Sequence, residues 1–347
     1  MISDAQTSIS FLRPPILSLA EVSLDLPASA SLWRAKDAVS WKTACLNRDA
    51  TLLPTGRNPP LTVCLYDLQP LIEVVGTIDW SFTILALLHQ IWYLVYYYRQ
   101  LNSAQKLYSQ PGMMGNNSLT SSSWQQDLLR ILNNFRLTLP DYGPIPSRAI
   151  LFQELLLLNL NVSFEDLQLF AGKEGIEDAR RVFPFLQQWY QSRDSRQAIW
   201  HAGQVLRAAR SMPSEHLRDF FAIAVYHASL TFWAFGILGA RDKSSNARQS
   251  TPTSLKPEMV VLDGETVPEK FIAAGRGTAS ITSTVVGTTP GQSKSVPLDD
   301  MKTVMEVLIA VLHHDGERNT VTPLVENLSR LMKDLGHAAD RIRRKKK

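Results

Sequence analysis

From Phe220 to Ala240 the sequence FFAIAVYHASLTFWAFGILGA carries no charged residue. A helix that is apolar on every side has to be surrounded, by other helices or by lipid, so this run must sit at the centre of the fold. The residues before it read as a second helix, joined to the first at a tight corner. Asp194 with Gln197 three positions on offers a capping box, and Ile199, Ala202, Leu206 and Ala209 then recur at helical spacing. Gln204, Arg207 and Arg210 fall on the other side, which predicts an amphipathic, half-exposed helix. Pro213 predicts the start of the long apolar helix, with acidic Glu215 placed where the helix dipole favours it.

A second apolar run extends from Trp80 to Tyr98, WSFTILALLHQIWYLVYYY, after a cap at Thr77 or Asp79. By length alone both runs could cross a bilayer. Against that stand His89 and Gln90 in mid-span of one, His227 in the other, and the ordinary amphipathic helices between them. Buried centres of a large helical domain account for both runs equally well. The cluster Trp92, Tyr93, Tyr96, Tyr97 and Tyr98 reads as packing aromatics with one wet edge, with an interfacial belt or a ligand platform as alternatives.

The remaining chain is patterned as helices. A short one is expected around Leu17–Leu24 and another around Ser31–Leu46, with Leu32, Trp33, Val39 and Trp41 as anchors that clamp this arm onto the body. Residues 102–123, rich in Ser, Asn, Gly and Gln, read as a surface loop, after which Ser123 and Gln126 offer a capping box. Further helices are expected at Arg148–Asn159, Ser163–Ala171 and Ile176–Tyr190, the last bent or divided at Pro184. From Arg241 the pattern is lost, although Met259–Leu262 and Ser280–Thr282 could be short extended pieces. Two helices close the chain, at Asp299–His313 and from Thr322-Pro323 onward. The fold class is therefore all-α: a multi-helix array with two long buried apolar helices, a long irregular excursion and a C-terminal helix pair. The expected organisation is a main body at 1–240, the excursion at 241–297, C-terminal helices at 298–340 packing back on the body, and a basic tail at 341–347.

Charge divides unevenly along the chain. Thirty-six basic and 32 acidic residues give a net +4, yet Arg341, Arg343, Arg344, Lys345, Lys346 and Lys347 contribute six positive charges, which leaves the other 340 residues at −2. A body without basic excess is not expected to hold DNA unaided, because phosphate neutralisation supplies most non-specific affinity. A composition of 45% hydrophobic and 20% charged residues is that of a globular chain. The first residues show no secretory signal, and two cysteines, Cys45 and Cys64, are too few for a disulfide scaffold and fit a reducing compartment.

Motifs of known chemistry are missing. Gly275-Arg276-Gly277 lacks the third glycine of a dinucleotide loop, and GTTPGQSKS at Gly287–Ser295 has the wrong spacing for a phosphate loop. There is no G-x-S-x-G elbow and no second cysteine pair at zinc spacing. His313 and His314 are adjacent, so on a helix they point about 100° apart and do not converge on one ion. Catalytic and metal-binding residues are accordingly not assigned. An enzyme would need a shifted acid or base near His201 or His227, which otherwise read as histidines hydrogen-bonded inside a helical core.

Trp200-His201-Ala202-Gly203-Gln204, then Ala224-Val225-Tyr226-His227-Ala228, then Trp233 and Gly236 resemble the regulatory, or middle homology, domain of fungal transcription factors of the type found behind Cys-Cys-His-His zinc fingers. Arg13-Pro14-Pro15, Leu24-Asp25-Leu26-Pro27 and Leu32-Trp33 agree in order, as do Leu262-Asp263-Gly264, Phe271-Ile272 and the stretch from Pro323 to Gly336. The resemblance covers nearly the whole chain. It implies a nuclear protein that controls RNA polymerase II transcription without catalysis, with a coregulator or a second transcription-factor copy as partner and a small effector as a further candidate. It also implies that Trp200, His201, Gly203, Tyr226, His227, Trp233 and Gly236 are structural, and that the Leu-Asp-Gly element docks on the helical body. Finger cysteines are absent, so DNA is expected only through an absent or partner module, and zinc only if that module exists. The tail residues Arg341, Arg343, Arg344 and Lys345 to Lys347 read either as a nuclear-import signal or as a solvated charged end. A membrane-associated helical protein and an enzyme with a pocket in the helical body are the competing classes.

Overall fold

A computed structural model describes residues 1–18, 21, 23–46, 58–108, 117–213, 216–246, 258–283, 294–313 and 321–344, with backbone only for 105–108, 117–121, 241–246 and 343. Among them are fifteen α-helices and one three-stranded sheet, so the chain is all-α. It forms two compact units, Met1–Ala149 and Ile150–Lys347, and the expected 1–240 body falls across that division.

The first unit holds α1 (Ile2–Phe11), α2 (Ala30–Trp33), α3 (Ala38–Leu46), α4 (Leu61–Tyr66), α5 (Gln69–Glu73), α6 (Trp80–Tyr108) and α7 (Asn117–Thr138). The second apolar run is α6, started by Asp79, whose carboxylate accepts the Phe82 amide at 3.0 Å. Its partner is α1, which was not anticipated; the serine-rich ISDAQTSISF has weak intrinsic helicity, and tertiary contact decides it. Trp92 Nε1 donates to Ser8 Oγ at 2.9 Å and the Tyr93 hydroxyl donates to Asp4 at 2.8 Å. Burial opposes ionisation of Asp4, yet the amides of Ile16 and Leu17 and the Tyr93 hydroxyl together hold its carboxyl below the usual range. Burial, and then Asp4, push the Tyr93 phenol well up.

The described residues within 17–24 contain no α-helix, and the helix expected at 31–46 is broken at Arg34–Asp37 into α2 and α3. The loop expected over residues 102–123 is largely helical, since α6 continues to Tyr108 and α7 begins at Asn117. Ser123 therefore lies inside α7 and caps nothing.

His89 gives this unit a pH dependence. It is fully buried; Gln6 Nε2 donates to its Nε2 at 3.1 Å, and its Nδ1–H faces the Leu85 carbonyl. That pattern needs the neutral ring. Burial above all, with the N-terminal charge adding and the Leu85 bond opposing, lowers its pKa to about 4. An unfolded histidine binds its proton near pH 6.5, so the contribution is complete above that pH and is lost as pH falls through 4, by roughly 3 kcal/mol. Melting curves between pH 7.5 and 4.5 should show this slope in the wild type and a flatter one in His89→Gln; equal slopes would exclude His89 as the cause.

The second unit holds most of α8 (Ser147–Asn161), then α9 (Phe164–Phe170), α10 (Ile176–Gln191), α11 (Arg193–Arg210) and α12 (Asp219–Asn246). After these come β1 (Met259–Val261), α13 (Glu269–Ala274), β2 (Thr278–Ser283), β3 (Lys294–Pro297), α14 (Met301–Leu312) and α15 (Pro323–Arg344). Pro184 lies inside an undivided α10. The apolar run is α12, whose stretch Asp219–Ala240 is long and apolar enough to cross a membrane and is 72% buried over its most apolar window, as a core helix is. It starts at Asp219, which has φ +47°, rather than at Pro213; Glu215 lies outside the described residues. It also continues six residues past Ala240, into the region expected to be irregular.

Both extended pieces expected near 259 and 280 are strands. Val260 pairs with Ala279 in parallel, Ile281 pairs with Val296 in antiparallel, and the order is β1-β2-β3. α13 makes the crossover that parallel strands require. β3 went unforeseen because Lys294–Pro297 carries one β-branched residue and a proline.

Candidate regulatory site

The motif-bearing helix α11 is capped by Ser192, whose hydroxyl accepts the Ser195 amide at 3.3 Å, so Asp194 lies in the first turn and is not the cap. Contrary to the half-exposed expectation, Ser195, Ala198–Leu206, Ala208 and Ala209 are all buried. The polar side of the helix is covered by the segment that follows α12 in sequence. At Gly203 an added Cβ would stand 2.8 Å from Leu262 Cβ and nearer still to the Leu262 carbonyl, so only glycine admits this approach.

The neighbouring polar residues hold the same segment. Gln204 Nε2 donates to the carbonyls of Leu262 and Gly264, both at 2.9 Å. Arg207 pairs with Glu265 at 2.7 Å on the surface. Arg210 pairs with Asp263, whose side chain is wholly buried, and also donates to Thr282 O at 2.5 Å. Asp263 in turn accepts the Thr282 amide at 2.9 Å and its hydroxyl at 3.1 Å, so one carboxylate ties α11 to β2. Nearer the helix start, Arg196 Nε donates to Ile272 O at 2.8 Å, at the end of α13. A polar stripe of α11 from Arg196 to Arg210 thus holds the Leu262-Asp263-Gly264 element and its surroundings. Sequence periodicity assigned that stripe to solvent. An isolated glycine within a helical pattern was the available signal of close packing.

The other motif residues occupy the same unit. Trp200 is buried, and His201 Nδ1 meets Glu154 of α8 at 2.8 Å, with both side chains buried. His227 is buried and stacks on Phe164, ring centroids 4.3 Å apart, while burial raises the hydroxyl pKa of its neighbour Tyr226. Trp233 donates its indole N–H to Leu335 O at 3.1 Å. Gly236 lies under Leu298, where an added Cβ would fall 2.6 Å from the carbonyl oxygen. Among the described residues no three His, Cys, Asp or Glu side chains are grouped as metal ligands. In the tail, α15 runs through Arg344, which pairs with Asp340 at 2.8 Å; Lys345 to Lys347 and His314 lie outside the described residues, as does the side chain of Arg343.

The N-terminal arm corrects another expectation. Leu32 is buried, but Trp33 and Val39 are each 75% exposed and Trp41 52%. α3 buries none of its nine residues. AVSWKTACL mixes Ser40, Lys42 and Thr43 with Val39, Trp41 and Leu46, and these three large apolar side chains stand exposed. Arg34, Lys36 and Lys42 are exposed in the same stretch, as is the acidic Asp37.

The chain is 24% identical over 259 residues to "Transcription factor 1" of Elsinoe fawcettii, an alignment that covers 69% of this chain and 26% of that protein. It is likewise 24% identical over 267 residues to "Transcription factor PfmaH" of Pestalotiopsis fici, covering 70% of this chain and 26% of that protein. The chain thus spans about a quarter of the length of the curated relatives it matches. No family model matches it, and no solved structure does.

Proposed function

We propose that this chain is a helical regulatory domain of the fungal transcription-factor type, which controls RNA polymerase II transcription by interaction and not by catalysis. The observation that carries this reading is its similarity to two fungal transcription factors across about seven tenths of its length. The ordered motifs of α11 and α12 support the same middle homology assignment. DNA is reached through a zinc-finger module outside these residues or on a partner, zinc enters only with that module, and the protein works in the nucleus, where Arg341–Lys347 serve import.

The effector surface is the α2–α3 arm. Its exposed apolar side chains, in a stretch where Arg34, Lys36 and Lys42 outnumber Asp37, suit a coregulator that presents an apolar groove with an acidic border. A tethered reporter tests this: the chain fused to a heterologous DNA-binding module should change transcription from a promoter carrying its site. Val39→Ser with Trp41→Ser should abolish most of that change, about ten-fold or more, because buried tryptophans dominate interfaces. The melting temperature should hardly move, since exposed substitutions cost about 0.5 kcal/mol or less. A fusion without effect would refute the transcriptional reading; an effect indifferent to the two substitutions would refute the arm as its surface.

A further inference from the structure

Between the end of α10, the start of α11, α12 and the loop after α13 lies a cleft of about 330 Å³. Binding sites for small molecules begin at about this size and combine apolar walls with a few placed polar groups. Here the walls are aromatic. Tyr190 and Phe235 are only half-buried, their rings meet at 4.8 Å with a 51° tilt, and Phe271 adds apolar surface. Gly239 lets the Tyr190 ring lie directly against α12, because a Cβ there would stand 2.8 Å from the Tyr190 hydroxyl.

The charged groups that line it are two and of opposite sign. Arg196 is held in place by its bonds to the carbonyls of Ile272, Ala273 and Gln191, at 2.8, 3.4 and 3.3 Å. Three of its five N–H groups are used in this way, and a guanidinium so fixed can offer the remainder to a carboxylate. Asp299 also lines the cleft; it disfavours a second anionic group and can accept from a hydroxyl.

We infer that this cleft binds a small aromatic carboxylic acid carrying a ring hydroxyl, with the ring against Tyr190 and Phe235 and the carboxylate on Arg196. Such a ligand would bridge α11, α12 and the loop after α13, and so tighten the docking of that loop on α11. Ligand capture in this cleft stands whether or not the chain acts on transcription.

The test uses 4-hydroxybenzoate and the whole chain, with saturation-transfer NMR on the ligand and a thermal melt in parallel. Saturable transfer to the ring protons and a rise in melting temperature with ligand concentration are expected. Cyclohexanecarboxylate, of similar size without a π-face, should bind about five-fold more weakly. Arg196→Met should weaken binding by about ten-fold or more. Because Arg196 also holds α13, a second variant is needed: Ala240→Phe fills the cleft from a half-exposed position and should abolish binding while the unliganded melt stays cooperative. Absence of saturable binding to the wild type, or equal binding to Ala240→Phe, would overturn the assignment.

Discussion

Arg210→Met is expected to cost the second unit about 4 kcal/mol, because removing one partner of a buried ion pair strands the other. The stranded group is Asp263, whose side chain has no exposed surface, whereas Arg210 keeps 22% of its own. Bonds from the Thr282 amide and hydroxyl remain and temper the loss, but neither supplies a positive charge. In a unit of this size each kcal/mol moves the melting temperature by about 2–4 °C, so a fall of roughly 10 °C is the expected reading. Asp263→Asn in the same background should recover part of it, since an amide can keep a bond to Thr282 without a buried charge. A single variant as stable as the wild type would mean that the pair does not hold the segment.

Gly203→Val should be comparably severe for a different reason. Helix propensity alone favours valine over glycine by a few tenths of a kcal/mol, so any loss has to come from the neighbour. That neighbour is the backbone of Leu262, which cannot turn aside as a side chain can. Overpacking costs about 1–3 kcal/mol, and displacing Leu262 also breaks the Gln204 bonds, each costing about 1 kcal/mol or more when a buried group is left unpaired. A total of about 4 kcal/mol follows, with hydrogen exchange over 259–283 accelerated before that of α12. Stabilisation by valine would show that the segment does not press on α11.

Gly203 and Arg210 also mark the boundary of what could be read in advance. The apolar runs were legible as α6 and α12 because uninterrupted apolar surface has few physical solutions. The strands at 259 and 280 were legible from their β-branched residues. What periodicity does not encode is which polar face will be covered by a distant segment: Gln204 and Arg210 have the composition of a solvated stripe, yet their partners lie more than fifty residues later. Trp33, Val39 and Trp41 erred in the opposite direction, since apolar side chains read as anchors stand in solvent. The start of α12 was misplaced because Pro213 is a good first-turn residue, whereas the helix starts at Asp219 in the left-handed region, which aspartate enters more readily than most residues but which apolar spacing does not mark. The aromatic cleft left no mark in the sequence, because Tyr190, Phe235 and Phe271 meet only after α10, α12 and α13 have packed.

Chromatin immunoprecipitation of the tagged, full-length native protein in its own cells decides whether this domain acts in transcription. Reproducible enrichment at a limited set of promoters is expected, with expression of the neighbouring genes changed when the protein is removed. Recovery in the membrane fraction with no promoter enrichment would contradict a role in transcription.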